Sequence, residues 1–282
     1  MYFPIKVSGG IGDCLNDINR YPLRLFKGIG IKPKFYYTTP AHPAREIILS
    51  SLKCISGSKI AENPLPQSFY EHRLANYSRR FFWWMRGSYV PPLENISFAK
   101  QTKSPRTAVL HTHQDGHHKA KHLTAKIWNI ANWISLIKML QSDLGFQVKI
   151  MEWDSEAKNF LLQSTSGVID ATGDGMADNC KTIRDCDLFV SVDSWSKYVA
   201  NWFNTPQIII VPDLRKNYTP VFSQLTATDI ARGWFVGLLE KPSVKILGLE
   251  KQHSTYNYSL ENINLLTPNT LLNEAQAILG PR

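Results

Sequence analysis

Cysteine is scarce in this sequence. Only Cys14, Cys54, Cys180 and Cys186 occur, and no two form a C-x-x-C pair. That scatter excludes a disulfide framework and makes a reducing cytoplasm the expected compartment. Long apolar runs are missing too: no segment approaches the roughly 20 uncharged apolar residues that carry a helix across a bilayer. The opening MYFPIKVSGG lacks the basic region and long apolar stretch of a secretory signal. No internal repeat and no low-complexity tract occurs. The G-x-G-x-x-G fingerprint is absent, which argues against a Rossmann dehydrogenase. No recognised nucleic-acid motif is found either.

What is present fits a globular chain of two domains. Its 282 residues are long for one core, and 43% hydrophobic with 20% charged residues is an ordinary globular balance. The formal net charge of +9 favours polyanionic partners, which include nucleotide diphosphates, nucleic acid and anionic membranes. Charge alone does not choose among them.

Residues 3–8 read as a strand that runs into Gly9, Gly10 and Gly12, with a helix following over 13–27. A second strand is expected at 34–39 and a helix at 44–52, behind Pro40 and Pro43. Residues 61–92 are rich in proline and contain the aromatic-basic run Arg79–Arg86. From Arg106 a regular alternation begins. Strands are expected at 107–111, 147–151, 168–170, 188–192 and 207–211, and helices at 127–141, 155–163, 177–185 and 196–203. Ile127, Ile130, Ile134, Ile137 and Leu140 recur at helical spacing, and Gly145 ends that helix. A tail helix spans 268–278 and stops before Gly280-Pro281. Continuous apolar strands separated by amphipathic helices predict an α/β fold, a parallel sheet covered on both faces. The polar stretch 97–105 marks the boundary, giving a short N-terminal lobe (1–104) and a second lobe (105–282).

Several stretches can carry chemistry. In Ser8–Asp13 the glycines let the backbone turn sharply beside a ligand. Asp13, at the end of the first strand, either takes a proton from an acceptor hydroxyl or caps the helix. In Asp193–Tyr198 a buried strand hands over to a helix. Asp193 and Ser194 there either cap it or, with its amides, hold a diphosphate. Lys126-Ile127-Trp128 opens the long helix of the second lobe. Lys126 either stabilises a departing diphosphate or is a solvated helix-end lysine, and Trp128 reads as packing. His111, His113, His117, His118 and His122 have only Asp115 to complete a ligand set, so they read as a loop contacting phosphate or sugar rather than a metal site. Thr172-Gly173-Asp174-Gly175 is a turn at the carboxyl edge of the sheet, the usual ligand side, unless its glycines only serve the turn. The run Arg79–Arg86 reads as lobe packing, or as a surface for a membrane or a lipid-linked acceptor.

Taken in order, these stations resemble the heptosyltransferase-like glycosyltransferases, glycosyltransferase family 9, of the GT-B fold. The likeness rests on Gly12-Asp13 after the first strand and on Lys126-Ile127-Trp128 as a K-x-W helix start. It rests further on Asp193-Ser194-Trp195-Ser196-Lys197-Tyr198 as a D-[ST]-G-x-x-H-like turn. Thr205-Pro206-Gln207-Ile208 matches the following strand and Thr267–Leu271 the C-terminal helix. Trp195 stands where the family has glycine and Tyr198 where it has histidine.

The resemblance implies two Rossmann-like lobes that grip a nucleotide sugar and pass the sugar, a heptose among the candidates, to a glycan or lipid-linked hydroxyl with inversion. Asp13 would be the general base and Lys126 would neutralise the leaving diphosphate. Gly12, Asp193, Ser194, Trp195, Ser196 and Lys197 would hold the donor, and Thr172, Gly173 and Asp174 would line the base or ribose. Positive charge and a helix terminus can do the leaving-group work, so no metal and no cofactor are expected. A cytoplasmic enzyme, with peripheral contact at the inner face of a membrane left open and no specific nucleic-acid partner, follows. Two alternatives stay open. One is a non-catalytic nucleotide-sugar-binding protein of the same fold, in view of Trp195 and Tyr198. The other is a basic nucleic-acid binder, with steeply salt-dependent affinity.

Overall fold

The fold comes from a computed structural model that describes residues 2–7, 12, 30, 32–37, 59–60, 105–112, 127–213, 226–235, 238–239, 241–260 and 262–280. The expected helices at 13–27 and 44–52, the run Arg79–Arg86, His113, His117, His118, His122, Asp13 and Lys126 lie outside these residues. The chain divides into two compact units, Met1–Phe98 and Ala99–Arg282.

In the first unit, β1 (Tyr2–Val7), β2 (Lys32–Tyr37) and β3 (Lys59–Ile60) form a parallel sheet in chain order. Tyr2 stands opposite Lys32 and Lys34 opposite Lys59. The short third strand was not anticipated. Gly12 is helical.

The second unit is built on six parallel strands: β4 (Thr107–His111), β5 (Gln147–Ile150), β6 (Ile169–Asp170), β7 (Leu188–Val192), β8 (Gln207–Ile210) and β9 (Val244–Leu247). They lie in the order β6-β5-β4-β7-β8-β9. Counted within the unit this is 3-2-1-4-5-6, the order of doubly wound nucleotide-binding sheets. Period-two alternation sorts the strand residues onto two faces. Ala108, Leu110, Val148, Ile150, Val190, Val192 and Ile208 pack in one core with α1 (Ile130–Ser142) and α6 (Pro268–Leu279). Ile209 and Val211 pack in another with α5 (Ala227–Trp234). Because both faces are covered, strands such as LFVSV are buried along their whole length.

Helices α2 (Ser155–Ser164), α3 (Met176–Asp185) and α4 (Ser196–Trp202) fall where the sequence predicts them, within a residue at either end. Helix α1 begins three residues later than expected. Asn129 caps it, its side chain accepting the Ala131 N–H at 2.9 Å, so Trp128 precedes the helix. Gly145 ends the segment in the left-handed region (φ 63°), where the Gly145 and Phe146 amides turn back onto Gln141 and Leu140. Trp128 packs as expected. It is fully buried, lies edge-on to Trp133 at 4.8 Å, and donates its indole N–H to the Leu266 carbonyl at 3.0 Å. Beside it the Asn129 N–H donates to Asn264 at 2.6 Å. Helix α5, strand β9 and the antiparallel hairpin of β10 (Leu249–Gln252) and β11 (Thr255–Tyr258) had no counterpart in the sequence reading. No helix among the described residues is long and apolar enough to cross a membrane.

Candidate functional site

Strand order reverses between β4 and β7, and ligands of open α/β sheets bind outside the carboxyl ends of the strands at such a point. Because the strands are parallel, their exits share one edge. β4 runs on to Thr112, β5 to Glu152 and Trp153, β6 to Thr172, and β7 to Asp193, Ser194 and Trp195.

At the β5 corner a carboxylate organises the surroundings. The Thr112 hydroxyl donates to Glu152 Oε2, and the Asp154 N–H donates to Oε1 at 2.9 Å. Both Thr112 and Glu152 are buried, and a buried carboxylate persists only with such donors. The Glu152 backbone is stapled to the next strand exit: its N–H donates to Thr172 Oγ1 and the Thr172 hydroxyl donates back to its carbonyl, both at 3.0 Å. Asp154 then caps α2, accepting the Ala157 N–H at 2.9 Å.

The turn at Thr172–Gly175 is held largely by its own bonds. The Thr172 N–H donates to Asp170 at 2.9 Å, and the Gly173 N–H donates to Asn179 Oδ1 at 2.8 Å. Gly173 is demanded by close packing, since a Cβ there would lie 2.7 Å from Asp178 Cβ. Asp174 is exposed. Burial alone would push the Asp170 carboxyl up. Hydrogen bonding from Thr172 and the Lys158 ammonium at 2.9 Å outweigh it and hold the group below its ordinary value.

The β7 corner is closed from beneath. Asp193 and Lys197 form a buried ion pair one helical turn apart. The Lys197 ammonium also lies 4.7 Å from the Tyr198 ring centre and 4.5 Å from that of Phe235. The residue at the cap position of α4 is Trp195, already helical and supplying no side-chain bond, and not Asp193 or Ser194. Ser196 Oγ and His111 Nδ1 share a 2.8 Å hydrogen bond that ties this corner to the end of β4. The Ser194 hydroxyl is buried with no hydrogen-bond partner. An orphaned hydroxyl of this kind costs about 1–3 kcal/mol.

Three aromatic rings run along this edge. Trp153 meets His111 edge-on at 5.3 Å, and Trp195 lies 6.1 Å from each of them. Trp195 is 5% exposed and Trp153 37%. A separate cleft of about 270 Å³, bordered by Thr107, Lys149, Lys181 and Asp185, opens on the α3 side of the sheet toward the start of β4, away from the carboxyl edge. Among the described residues no three His, Cys, Asp or Glu side chains converge as metal ligands would. Cys180 and Cys186 carry no disulfide.

Of the residues singled out from sequence, the structure brings Thr172, Gly173, Asp174 and Asp193–Lys197 to the carboxyl edge of the second unit. Gly12 belongs to the first unit. Thr112, Glu152 and Trp153 were missed. Glu152 had a signal: an acidic residue directly after the second strand of such a sheet is where ribose hydroxyls are bound.

With this sheet and its edge in view, the chain is an α/β protein of the GT-B type. Solved structures give the particular likeness. E. coli heptosyltransferase WaaC with ADP-2-deoxy-2-fluoro heptose matches with a TM-score of 0.57 at 13% identity, over 98% of this chain and 99% of that one. A family 9 glycosyl transferase from Veillonella parvula matches with a TM-score of 0.60 at 8% identity, over 99% and 97%. TibC from enterotoxigenic E. coli, described as an iron-containing dodecameric glycosyltransferase, matches with a TM-score of 0.55 at 13% identity, over 98% and 78%. At these identities the likeness is one of fold. No protein-family model matches the chain, and neither does a curated protein.

Proposed function

We propose that this chain is a glycosyltransferase that draws its sugar from a nucleotide-diphosphate donor. The observation that carries the reading is the sheet of the second unit. Its 3-2-1-4-5-6 order puts Thr112, Glu152, Thr172 and the orphaned Ser194 hydroxyl on one carboxyl edge. The chain-long likeness to enzymes of this kind supports it. WaaC is solved both with ADP and with ADP-2-deoxy-2-fluoro heptose, so ADP is the first diphosphate to test and an ADP-linked heptose the first donor.

On this reading Glu152 accepts from a ribose hydroxyl, since a carboxylate offers about four acceptor sites. Ser194 donates to the diphosphate, with Trp195 and the Ser196 backbone beside it. Asp193 and Lys197 stiffen the corner from beneath rather than touching the donor. Gly173 and Asp174 border the base or ribose. Gly12 takes part in donor binding, Asp13 takes the proton from the acceptor hydroxyl, and Lys126 neutralises the departing diphosphate. Direct displacement inverts the anomeric carbon. The acceptor is a glycan or lipid-linked hydroxyl on the cytoplasmic side. A lysine at the leaving group makes a divalent metal dispensable, so turnover is expected to persist in EDTA.

A thermal-shift screen tests the reading, because a ligand that binds only the folded state raises its melting temperature. ADP or a nucleotide sugar should raise it, and no rise with any of them rejects the proposal. Asp13→Asn should then lose most turnover at unchanged ADP affinity. Normal turnover in that variant removes the base assignment. One observation favours a second reading, a binding protein without transfer: Trp195 is buried at the turn where a flexible glycine would face phosphate. That protein would bind the nucleotide sugar and turn over no acceptor.

A further inference from the structure

The three-ring edge contains one aromatic side chain that the scheme above leaves unused. Trp153 directly follows Glu152 and is 37% exposed, whereas its ring neighbours His111 and Trp195 are buried. Its backbone is fixed on both sides. Glu152 is stapled to Thr172 in both directions, and the Asp154 N–H is held by Glu152 while its carboxylate caps α2. Its ring is braced edge-on at 5.3 Å by His111, which is itself bonded to Ser196 at 2.8 Å. A large indole held on a rigid frame, with part of its surface left in water at a ligand-binding edge, is a preformed stacking surface.

We infer that Trp153 takes the face of the donor's nucleobase and sets a preference for purine over pyrimidine. The inference rests on the nucleotide-binding reading above. Glu152 is the ribose position of that reading, and the base, joined to the same ribose, falls against the next side chain along. A two-ring purine covers more of the indole than a one-ring pyrimidine, so overlap itself discriminates.

Calorimetric titration of the full chain with ADP, UDP and inorganic pyrophosphate tests this in wild type, Trp153→Phe and Trp153→Ala. Wild type should bind ADP more tightly than UDP. Trp153→Ala should weaken ADP by about 5- to 150-fold, the loss of one base–aromatic stack. It should also narrow the gap to UDP and leave pyrophosphate unchanged, with Trp153→Phe in between. Unchanged ADP affinity in Trp153→Ala overturns the inference while the nucleotide site stands. Equal weakening of ADP and pyrophosphate also overturns it, because the ring would then be shaping the site rather than holding the base. Equal binding of ADP and UDP by wild type removes the purine preference. If wild type binds neither nucleotide, the proposed function falls and takes this inference with it.

Discussion

The corners after β5 and β7 are written in nearly the same residues. Each places a carboxylate within two residues of a strand's end and a tryptophan within the next two positions: Glu152-Trp153 in one, Asp193-Ser194-Trp195 in the other. They end in different states. Glu152 accepts from the Thr112 hydroxyl and the Asp154 N–H, and its tryptophan stays partly in water. Asp193 is neutralised by the Lys197 ammonium within its own turn, and its tryptophan is buried. A carboxylate at the ligand edge of a sheet therefore does not announce a ligand contact. What each holds inside the protein differs, two chain segments at Glu152 and an ion pair at Asp193.

Breaking the buried pair should give the largest effect. Asp193→Ala removes the carboxylate paired with the buried Lys197 ammonium and should cost about 3–5 kcal/mol in urea unfolding. Adding Lys197→Met should recover most of that. A single-variant loss below about 1 kcal/mol would mean that the β7 corner is not held shut by its charges. Thr112→Val sharpens the other side of the comparison. It removes a donor to a buried carboxylate and should cost about 1.5–3 kcal/mol, with weaker ADP binding in the calorimeter if Glu152 meets the ribose. An unaltered unfolding midpoint would show that Glu152 does not depend on this hydroxyl.

The smallest effect is expected at Asp170, on the open side of the β5 corner. Its carboxyl is 37% exposed and paired with Lys158, so solvent screening limits Asp170→Asn to about 0.2–1 kcal/mol at neutral pH. The sign with pH is fixed. A carboxyl held lower in the folded chain than in the unfolded one adds stability that is present above the unfolded value near about 4. It is lost as pH falls through the lowered folded value. Unfolding midpoints of wild type and Asp170→Asn should therefore converge on acidification, and a gap that widens would contradict the assignment.

The fold was largely legible because burial on both faces leaves its mark on sequence. LFVSV and QIII are buried at every position and carry apolar residues on both faces, as strands of a covered parallel sheet do. What escaped lacks that mark. TYNY in β11 alternates between exposed and half-buried positions, and VKIL in β9 is four residues at the sheet's edge. The start of α1 was misread because Ile127 continues the helical spacing, while the Asn129 cap decides where the helix begins. At the site the β7 residues were legible as a cluster but not as a role. The four-residue spacing of Asp193 and Lys197 permits a pair, and the sequence does not say whether it is solvated or buried. Glu152 was overlooked because its partner Thr112 is 40 positions away, a separation that no local pattern carries.

The bonds from Trp128 to Leu266 and from Asn129 to Asn264 join positions 138 and 135 residues apart. Leu271, Leu272 and Ala275 complete the same core as Ala108 on the first strand of the sheet. A growing chain thus lays down all six strands, with α1 already on that face, before α6, the last helix of the layer, emerges from the ribosome. A nascent protein halted before residue 262 would present a finished sheet with the α6 part of that flank bare, a natural client for chaperones and a hazard for self-association.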